Sequence, residues 1–344
     1  MRLWRAPGPT AALLAALLFG VGTPIAKLLL GPVSPWLLAG LLYLGSGVGL
    51  ALWRRLRKAE PARLRAGEIK WMAGAVVTGG VMAPVLLMWG LSRMPASGVS
   101  LLLNLEGVFT ALIAWFVFRE NFDRRIAIGM ALILLGAALL SWSADTRLDA
   151  VLPALAVAAA CLGWAIDNNL TRKIALADAT FIAMVKGVVS GGVNTTIALA
   201  WGATLPSPAT SIGAATVGFL SYGVSLTLFV VALRHLGTAR TAAYFSLAPF
   251  AGAVVAVLLL AEPISARLVV AGLLMALGAW LHLTERHQHM HLHPPMEHEH
   301  EHVHDEHHQH GGAETGPHTH WHRHEPMTHS HPHFPDEHHR GHRH

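Results

Sequence analysis

The sequence predicts an all-α polytopic membrane protein: ten transmembrane helices arranged as two inverted five-helix repeats, followed by a disordered His-rich C-terminal tail. Three observations predict it. Of the 344 residues, 53% are hydrophobic and only 13% are Asp, Glu, Lys or Arg, about half the charged share of an ordinary soluble domain. The apolar residues fall into long continuous runs separated by proline, glycine and basic residues. A segment of the first half returns, in weakened form, 142 residues later.

Ten runs approach the roughly 20 apolar residues that a helix needs to cross the hydrocarbon core: 10–30, 35–53, 71–91, 96–118, 124–142, 150–170, 178–201, 210–233, 239–260 and 265–284. The first follows Arg2 and Arg5 as a secretory signal would, but no small-residue cleavage site closes it and the run continues to Leu30, so it is read as retained. Gly31-Pro32 parts it from the second run, and Glu60-Pro61 lies in the basic connection before the third. Met94-Pro95 opens the fourth, Leu205-Pro206-Ser207-Pro208 parts the seventh from the eighth, and Glu262-Pro263 the ninth from the tenth. Proline is tolerated at such boundaries and disrupts a helix interior. Membrane strands would alternate in character, whereas these runs are continuous and rich in Ala, Leu and Gly. Trp36, Trp53, Trp71, Trp142 and Trp201 fall near span ends, as an interfacial aromatic belt requires. Gly45-x-x-x-Gly49 and Gly187-x-x-x-Gly191 allow close helix approach and are read as packing features.

Charge divides the chain sharply. Residues 1–284 hold 21 Lys+Arg and 10 Asp+Glu, while residues 285–344 hold 4 Arg, 10 Asp+Glu and 22 His. Such an apolar body excludes a soluble enzyme, and its basic residues sit in loops rather than on a nucleic-acid-binding face. With one cysteine, Cys161, no disulfide forms within the chain, and that thiol reads as a small buried hydrophobe. Counting basic residues by side gives 16 on the connections that share the N-terminus and three (Arg93, Arg147 and Arg267) on the others. The positive-inside rule therefore places both termini in the cytoplasm of a multi-pass inner-membrane protein.

The repeat lies over two segments, Met94–Glu120 and Leu236–Glu262. It sets Leu105 on Leu247, Gly107 on Pro249, Glu120 on Glu262 and, further on, Gly136 on Gly278. Five helices per half is an odd number, so the halves must run in opposite senses, the architecture of many secondary transporters. The halves, 10–142 and 150–284, resemble EamA-type domains of the drug/metabolite transporter superfamily. The resemblance rests on Phe19-Gly20 and Lys27 in the first run, the segments ending in Glu120 and Glu262, Trp164-Ala165 in the second half, and Pro249. It implies ten helices, an inner-membrane carrier and export of small organic molecules. One departure stands out: where the second half has Ala248-Pro249, the first has Glu106-Gly107. The tail, 285–344, lies outside the resemblance.

A charge at a helix centre costs about 2.5–3.5 kcal/mol on insertion scales, so those present need a reason. Glu106 lies near the middle of the 96–118 run, roughly 15 Å from either end at 1.5 Å per residue, too far to snorkel out. It is the first candidate for a substrate-binding or proton-exchanging carboxylate; Thr110 shares its face, and Asn104 lies on the face of Ser100. Asp167, Asn168 and Asn169 form the densest polar cluster, at the inner end of the 150–170 run, with Trp164 one turn from Asn168. Lys186 is too deep for easy snorkelling and would be satisfied by an anionic substrate, Glu106 or Asp167. Lys27 lies within two turns of the outer end of its run. Pro249 removes a backbone hydrogen bond from the ninth run, which suggests a bend there. No phosphate-binding loop or nucleophilic triad stands out, so the energy source is expected to be an ion gradient or exchange.

The tail alternates His with other residues, as in His287, His289, His291 and His293 and again in His298, His300, His302 and His304, with Glu297, Glu299 and Glu301 between. Lacking apolar periodicity, it is expected to be disordered. Imidazole suits zinc, nickel, cobalt or copper. These features set three readings side by side: a carrier of a small organic molecule in the lipid bilayer, a divalent transition-metal (Zn, Ni or Co) exporter, and a membrane-anchored metal buffer or sensor. The intramembrane charges favour a carrier, since a bare anchor has no use for them. No cofactor is required.

Overall fold

A computed structural model describes residues 7–59, 62, 64–118, 124–142, 148–174, 178–229, 231–232, 241, 244–283, 288–293, 296–302, 318–324 and 327–332. The chain forms two compact units, Met1–Glu285 and Arg286–His344.

Among its described residues, the first unit is built from helices. They are α1 (Pro7–Leu29), α2 (Pro35–Leu56), α3 (Ile69–Ala75), α4 (Ala83–Arg93), α5 (Ala96–Leu102), α6 (Leu105–Phe118), α7 (Arg124–Ser141), α8 (Leu148–Thr171), α9 (Ala179–Ala200), α10 (Pro208–Gly218), α11 (Ala248–Leu260) and α12 (Ala266–Leu283). A π-helical segment, Val76–Met82, joins α3 to α4, and a second, Phe219–Val224, continues α10. Several starts follow from side chains the sequence supplies. Ser34 accepts from the Leu37 N–H and Pro35 follows it; Ser207 accepts from the Thr210 N–H and Pro208 follows it; Asp178 accepts from the Phe181 N–H. Each satisfies a donor that the first helical turn would otherwise leave unpaired.

Among the described residues, eight helical segments are long and apolar enough to cross a membrane: Gly8–Leu29, Pro35–Leu56, Ala66–Arg93, Ala96–Val117, Arg124–Ser141, Val151–Thr171, Ala179–Ala200 and Pro208–Phe229. Ala248–Leu260 and Ala266–Leu281 are apolar but shorter. The first eight correspond to the first eight runs of the sequence.

Small residues let the helices meet. A Cβ on Gly187 of α9 would lie 2.5 Å from the Gly47 nitrogen of α2, and Gly191 meets Leu44 in the same way. Gly45 packs on Ala215 of α10, Gly20 of α1 on Ala248 and Gly252 of α11, and Gly136 of α7 on Met275 of α12. Backbones this close gain dispersion contacts, which must hold helices together where surrounding lipid is as apolar as the side chains. Leu37, Leu42, Leu87, Met88, Val99, Leu102 and Val108 fill the core, while Phe116, Leu258 and Leu273 face outward.

Three expectations need correction. The 96–118 run is not one helix: a turn at Leu103-Asn104 divides α5 from α6, so Glu106 stands in the first turn of α6 rather than mid-helix. Pro249 bends nothing; it sits in the first turn of α11, after a turn at Ser246-Leu247, where its missing N–H would have had no helical partner. The tail, expected to be disordered, has four strands in its described residues: β1 (Gln288–His293), β2 (Met296–His302), β3 (His318–His324) and β4 (Met327–Pro332). β1 pairs antiparallel with β4, and β2 with β3. Alternation with period two is the signature of a two-faced strand, whether or not the repeating residue is apolar. His287 and His304 lie outside the described residues.

Candidate functional site

Glu106 and Asn168 meet. The Asn168 amide, on α8, donates to Glu106 Oε1, on α6, at 2.7 Å. The turn at Leu103-Asn104 ends α5 and starts a new helix, and this places the half-buried carboxylate in the first turn of α6, where the helix dipole favours negative charge. Thr110 Oγ1, one turn on, is buried and has no hydrogen-bond partner among the described residues. Asn104 is buried and spends its amide on the Leu101 carbonyl at 2.8 Å, closing the turn itself.

Asp167, one residue before Asn168, forms a buried ion pair with Lys186 of α9 and accepts a hydrogen bond from Thr171 at 2.9 Å. Of the two partners the sequence offered Lys186, the structure selects Asp167. A full charge pair is tolerated at this depth because each member neutralises the other and the Thr171 hydroxyl takes a remaining lone pair.

Against this pair lies the π segment Val76–Met82. A π turn shifts backbone bonding from i→i+4 to i→i+5 and leaves carbonyls to be satisfied elsewhere. Tyr43 of α2 and Trp164 of α8 both donate to the Gly79 carbonyl, each at 2.9 Å. The Asn194 amide of α9 reaches the carbonyls of Gly80 and Val81 at 3.3 and 3.2 Å. Gly79 is required here on space alone, since a Cβ would overlap the Asp167 carboxylate, and Gly80 likewise faces Ser190 Oγ. Tyr43 also stacks near Tyr222 of the second π segment, ring centroids 5.5 Å apart, and Phe19 of α1 meets Tyr222 edge-on at 5.9 Å. Charge, amide and aromatic groups from α1, α2, α6, α8, α9 and both π segments thus meet in one region of the bundle.

Lys27 belongs elsewhere. Its ammonium donates to the carbonyls of Leu91 and, at 2.9 Å, Met94, at the end of α4. Glu262 accepts from the N–H groups of Ala96 and Ser97 at 2.6 and 2.9 Å, at the start of α5. The pair pins the Arg93-Met94-Pro95 connection from both sides, a cation on carbonyls and an anion on amides. Pro249 lies in the first turn of α11. Sequence reading thus reached Glu106, Asn168, Asp167 and Lys186 through the cost of polar groups at depth. It missed Tyr43, Gly79 and Asn194; the Gly79-Gly80 pair inside an apolar run was the available signal, because adjacent glycines there invite a close approach. Glu120, the repeat partner of Glu262, lies outside the described residues.

Comparison with known proteins fits this picture. The profile of the EamA-like transporter family matches residues 6–142. An uncharacterized transporter of Methanothermobacter thermautotrophicus is 29% identical over 298 residues, which cover 81% of this chain and 86% of that protein. A probable 4-amino-4-deoxy-L-arabinose-phosphoundecaprenol flippase subunit ArnE of Pseudomonas fluorescens is 38% identical over 89 residues, 26% of this chain and 75% of that one. A solved protein structure superposes with a TM-score of 0.61 at 19% identity, covering 79% of this chain and 95% of its own, and so shares the fold.

Proposed function

The chain belongs to the EamA-like transporter family and is a multi-pass membrane transporter, and from that premise we propose that it is a secondary carrier moving a small organic molecule by alternating access, with Glu106 as the carboxylate that binds substrate or exchanges a proton. The observation that carries this reading is the Glu106–Asn168 hydrogen bond. It joins a residue of the proposed first half, 10–142, to one of the proposed second half, 150–284, as do the bonds from Trp164 and Asn194 to the π segment. A site between two halves is where rocking one against the other exchanges access between the two sides of the membrane. The recurrence of irregular helix supports the two-half reading: the shift of 142 residues that relates the halves in sequence maps Met82, the end of the first π segment, onto Val224, the end of the second.

Within this scheme Asn168 holds Glu106 in place, and the Asp167–Lys186 pair is a fixed electroneutral wall beside it. The buried Thr110 hydroxyl offers a polar group that a bound substrate can satisfy. The carrier sits in the inner membrane with both termini in the cytoplasm and exports its substrate. The metal-exporter reading finds less support, since no group of three or more His, Cys, Asp or Glu suited to a metal ion comes together among the described residues searched.

Glu106→Gln tests the proposal. It keeps the shape and the hydrogen bond to Asn168 while removing the charge and the exchangeable proton. In proteoliposomes the variant is expected to insert at normal levels and to lose flux driven by a pH gradient. Undiminished gradient-driven flux would leave Glu106 a structural role.

A further inference from the structure

The connection between α4 and α5 is held by residues remote in the chain. Ser34, Asp178 and Ser207 each cap a helix from the position just before it. The residue before α5 is Pro95, which makes no side-chain cap. The N–H groups of Ala96 and Ser97 are taken instead by the two carboxylate oxygens of Glu262, 166 and 165 residues away. This hold crosses from the proposed second half to the first. On the other side of the connection, the carbonyls of Leu91 and Met94 are taken by Lys27 of α1. Lys27 and Glu262 are carried together, because α1 and α11 meet backbone to backbone. A Cβ on Gly20 would lie 2.3 Å from the Ala248 oxygen, and one on Gly252 would lie 2.7 Å from the Gly20 oxygen.

Three observations mark this hold as one that can let go. Its bonds are polar, and Glu262 is half-buried between the exposed Ala261 and Pro263. When such bonds part at the end of a span, water takes over the same N–H and C=O groups at small net cost. Second, Ala261, immediately before Glu262, is left-handed, with φ 51° and ψ 37°. A non-glycine residue stays there only where its surroundings over-determine it, and release of the contact relieves the strain. Third, α5 below the connection is held by packing. All seven of its residues are buried. Ser100 Oγ, beside Gly252 of α11, is buried with no hydrogen-bond partner among the described residues. α5 ends at the Leu103-Asn104 turn, just before Glu106. It is thus a rod about 10 Å long, at 1.5 Å per residue, from the hold to the carboxylate.

We propose that Lys27 and Glu262 form a latch on the α4–α5 connection, closed in this structure, whose release frees α5 and opens this end of the bundle towards Glu106. The latch rests on the carrier reading above, since it supplies one of the two closures that alternating access requires. Glu262 is a positioning residue in this scheme, acting on the Glu106 turn through α5.

The lone thiol reports on the latch. Cys161 of α8 is buried, its sulfur 3.7 Å from the carbonyl of Leu102, the last residue of α5, so movement of α5 uncovers it. The measurement is the rate at which Cys161 reacts with a charged, water-soluble methanethiosulfonate, followed by intact mass on the full-length protein in detergent, well below its melting temperature. Glu262→Gln keeps one acceptor oxygen, and Lys27→Met keeps most of the side-chain length. Each is expected to speed the reaction at least about tenfold, the factor implied by one lost charge-assisted hydrogen bond. Ala261→Gly removes the strain of the closed form and should slow the reaction below the native rate. Gly187→Ala loosens the α2–α9 contact, in which neither α5 nor the connection takes part, and should leave the rate unchanged. Should Lys27→Met fail to fold, Glu262→Gln decides alone. Native-rate labelling of Glu262→Gln would overturn the latch, and equal speeding by Gly187→Ala would reduce Glu262 to a stabilising cap. The rate needs no substrate, so a failed latch leaves the carrier reading standing. Undiminished flux in Glu106→Gln would likewise leave the labelling result standing.

Discussion

Asp178 and Arg54 show what a charge can do at the end of a span. Asp178 precedes α9 and accepts from the Phe181 N–H at 3.0 Å and from the Thr180 hydroxyl at 2.6 Å, while Arg54, at the end of α2, lies 2.8 Å away. Burial works against the Asp178 charge, yet the hydrogen bonds from Thr180, Arg54 and the Phe181 amide, with the Arg54 charge, hold its carboxyl down to about 2. A carboxyl depressed in the folded state stabilises fully above its ordinary value near 4 and loses that contribution as pH falls towards 2. The side chain is 40% exposed, so solvent screens the ion pair, and what remains is chiefly the helix cap, worth about 1 kcal/mol. Asp178→Asn keeps a capping oxygen without the titrating charge. The thermal midpoint of the native protein is therefore expected to fall more steeply between pH 4 and pH 2 than that of the variant. Parallel curves would show that acid acts elsewhere. At this scale the sequence marked Glu106, Asp167 and Lys186 because polarity at depth is expensive, but their partners lie on other helices and no local pattern names them. Lys27 was marked for the same reason and is satisfied quite differently, by carbonyls at the end of α4.

Spans were legible at the scale of the element because hydrophobic length and capping residues are local properties: Ser34-Pro35, Asp178 and Ser207-Pro208 each open a helix where the sequence breaks. The π segments and the turns at Leu103-Asn104 and Ser246-Leu247 were not, because hydropathy does not sense whether a carbonyl is bonded four or five residues on. The partners that stabilise the Gly79 and Gly80 carbonyls come from Tyr43, Trp164 and Asn194 on three other helices. Tail strands were missed for a related reason, since the search for alternation looked for apolar residues and the alternating residue is histidine. The Gly-x-x-x-Gly patterns were legible as contacts but not as a pairing of α2 with α9. Their closeness predicts intolerance: Gly187→Ala sets a methyl 2.5 Å from the Gly47 nitrogen, and backbone rather than a flexible side chain would have to yield. Overpacking of this kind costs about 1–3 kcal/mol. Gly192→Ala, whose Cβ meets nothing within 4 Å, is the matched control in the same helix. Detergent melting should show a large drop for the first and little change for the second, and equal melting would mean the two helices are free to separate.

Over the whole molecule, the proposed orientation of the bundle rests on loop charge and not on any contact inside it. Lys and Arg are retained on the cytoplasmic side during insertion, and the counts of 16 and three are the basis of the orientation proposed for the body. Arg54, Arg55, Arg57 and Lys58 at the end of α2 and Arg124 and Arg125 at the start of α7 then share a side, as both should if helices alternate through an even number of crossings. The eight long segments leave the last two crossings to α11 and α12, which are shorter in the described residues. Those two therefore decide whether the chain crosses ten times. A reporter active only in the cytoplasm is expected to give signal when fused at residue 60 or after residue 284, and one active only outside when fused near Asp145 or Pro206. The fusion after 284 is the informative one. Two five-helix halves can be inverted with respect to each other only if the chain ends on the side where it began, so an external signal there would leave an odd number of crossings, remove the inverted arrangement, and place the His-rich tail outside the cell.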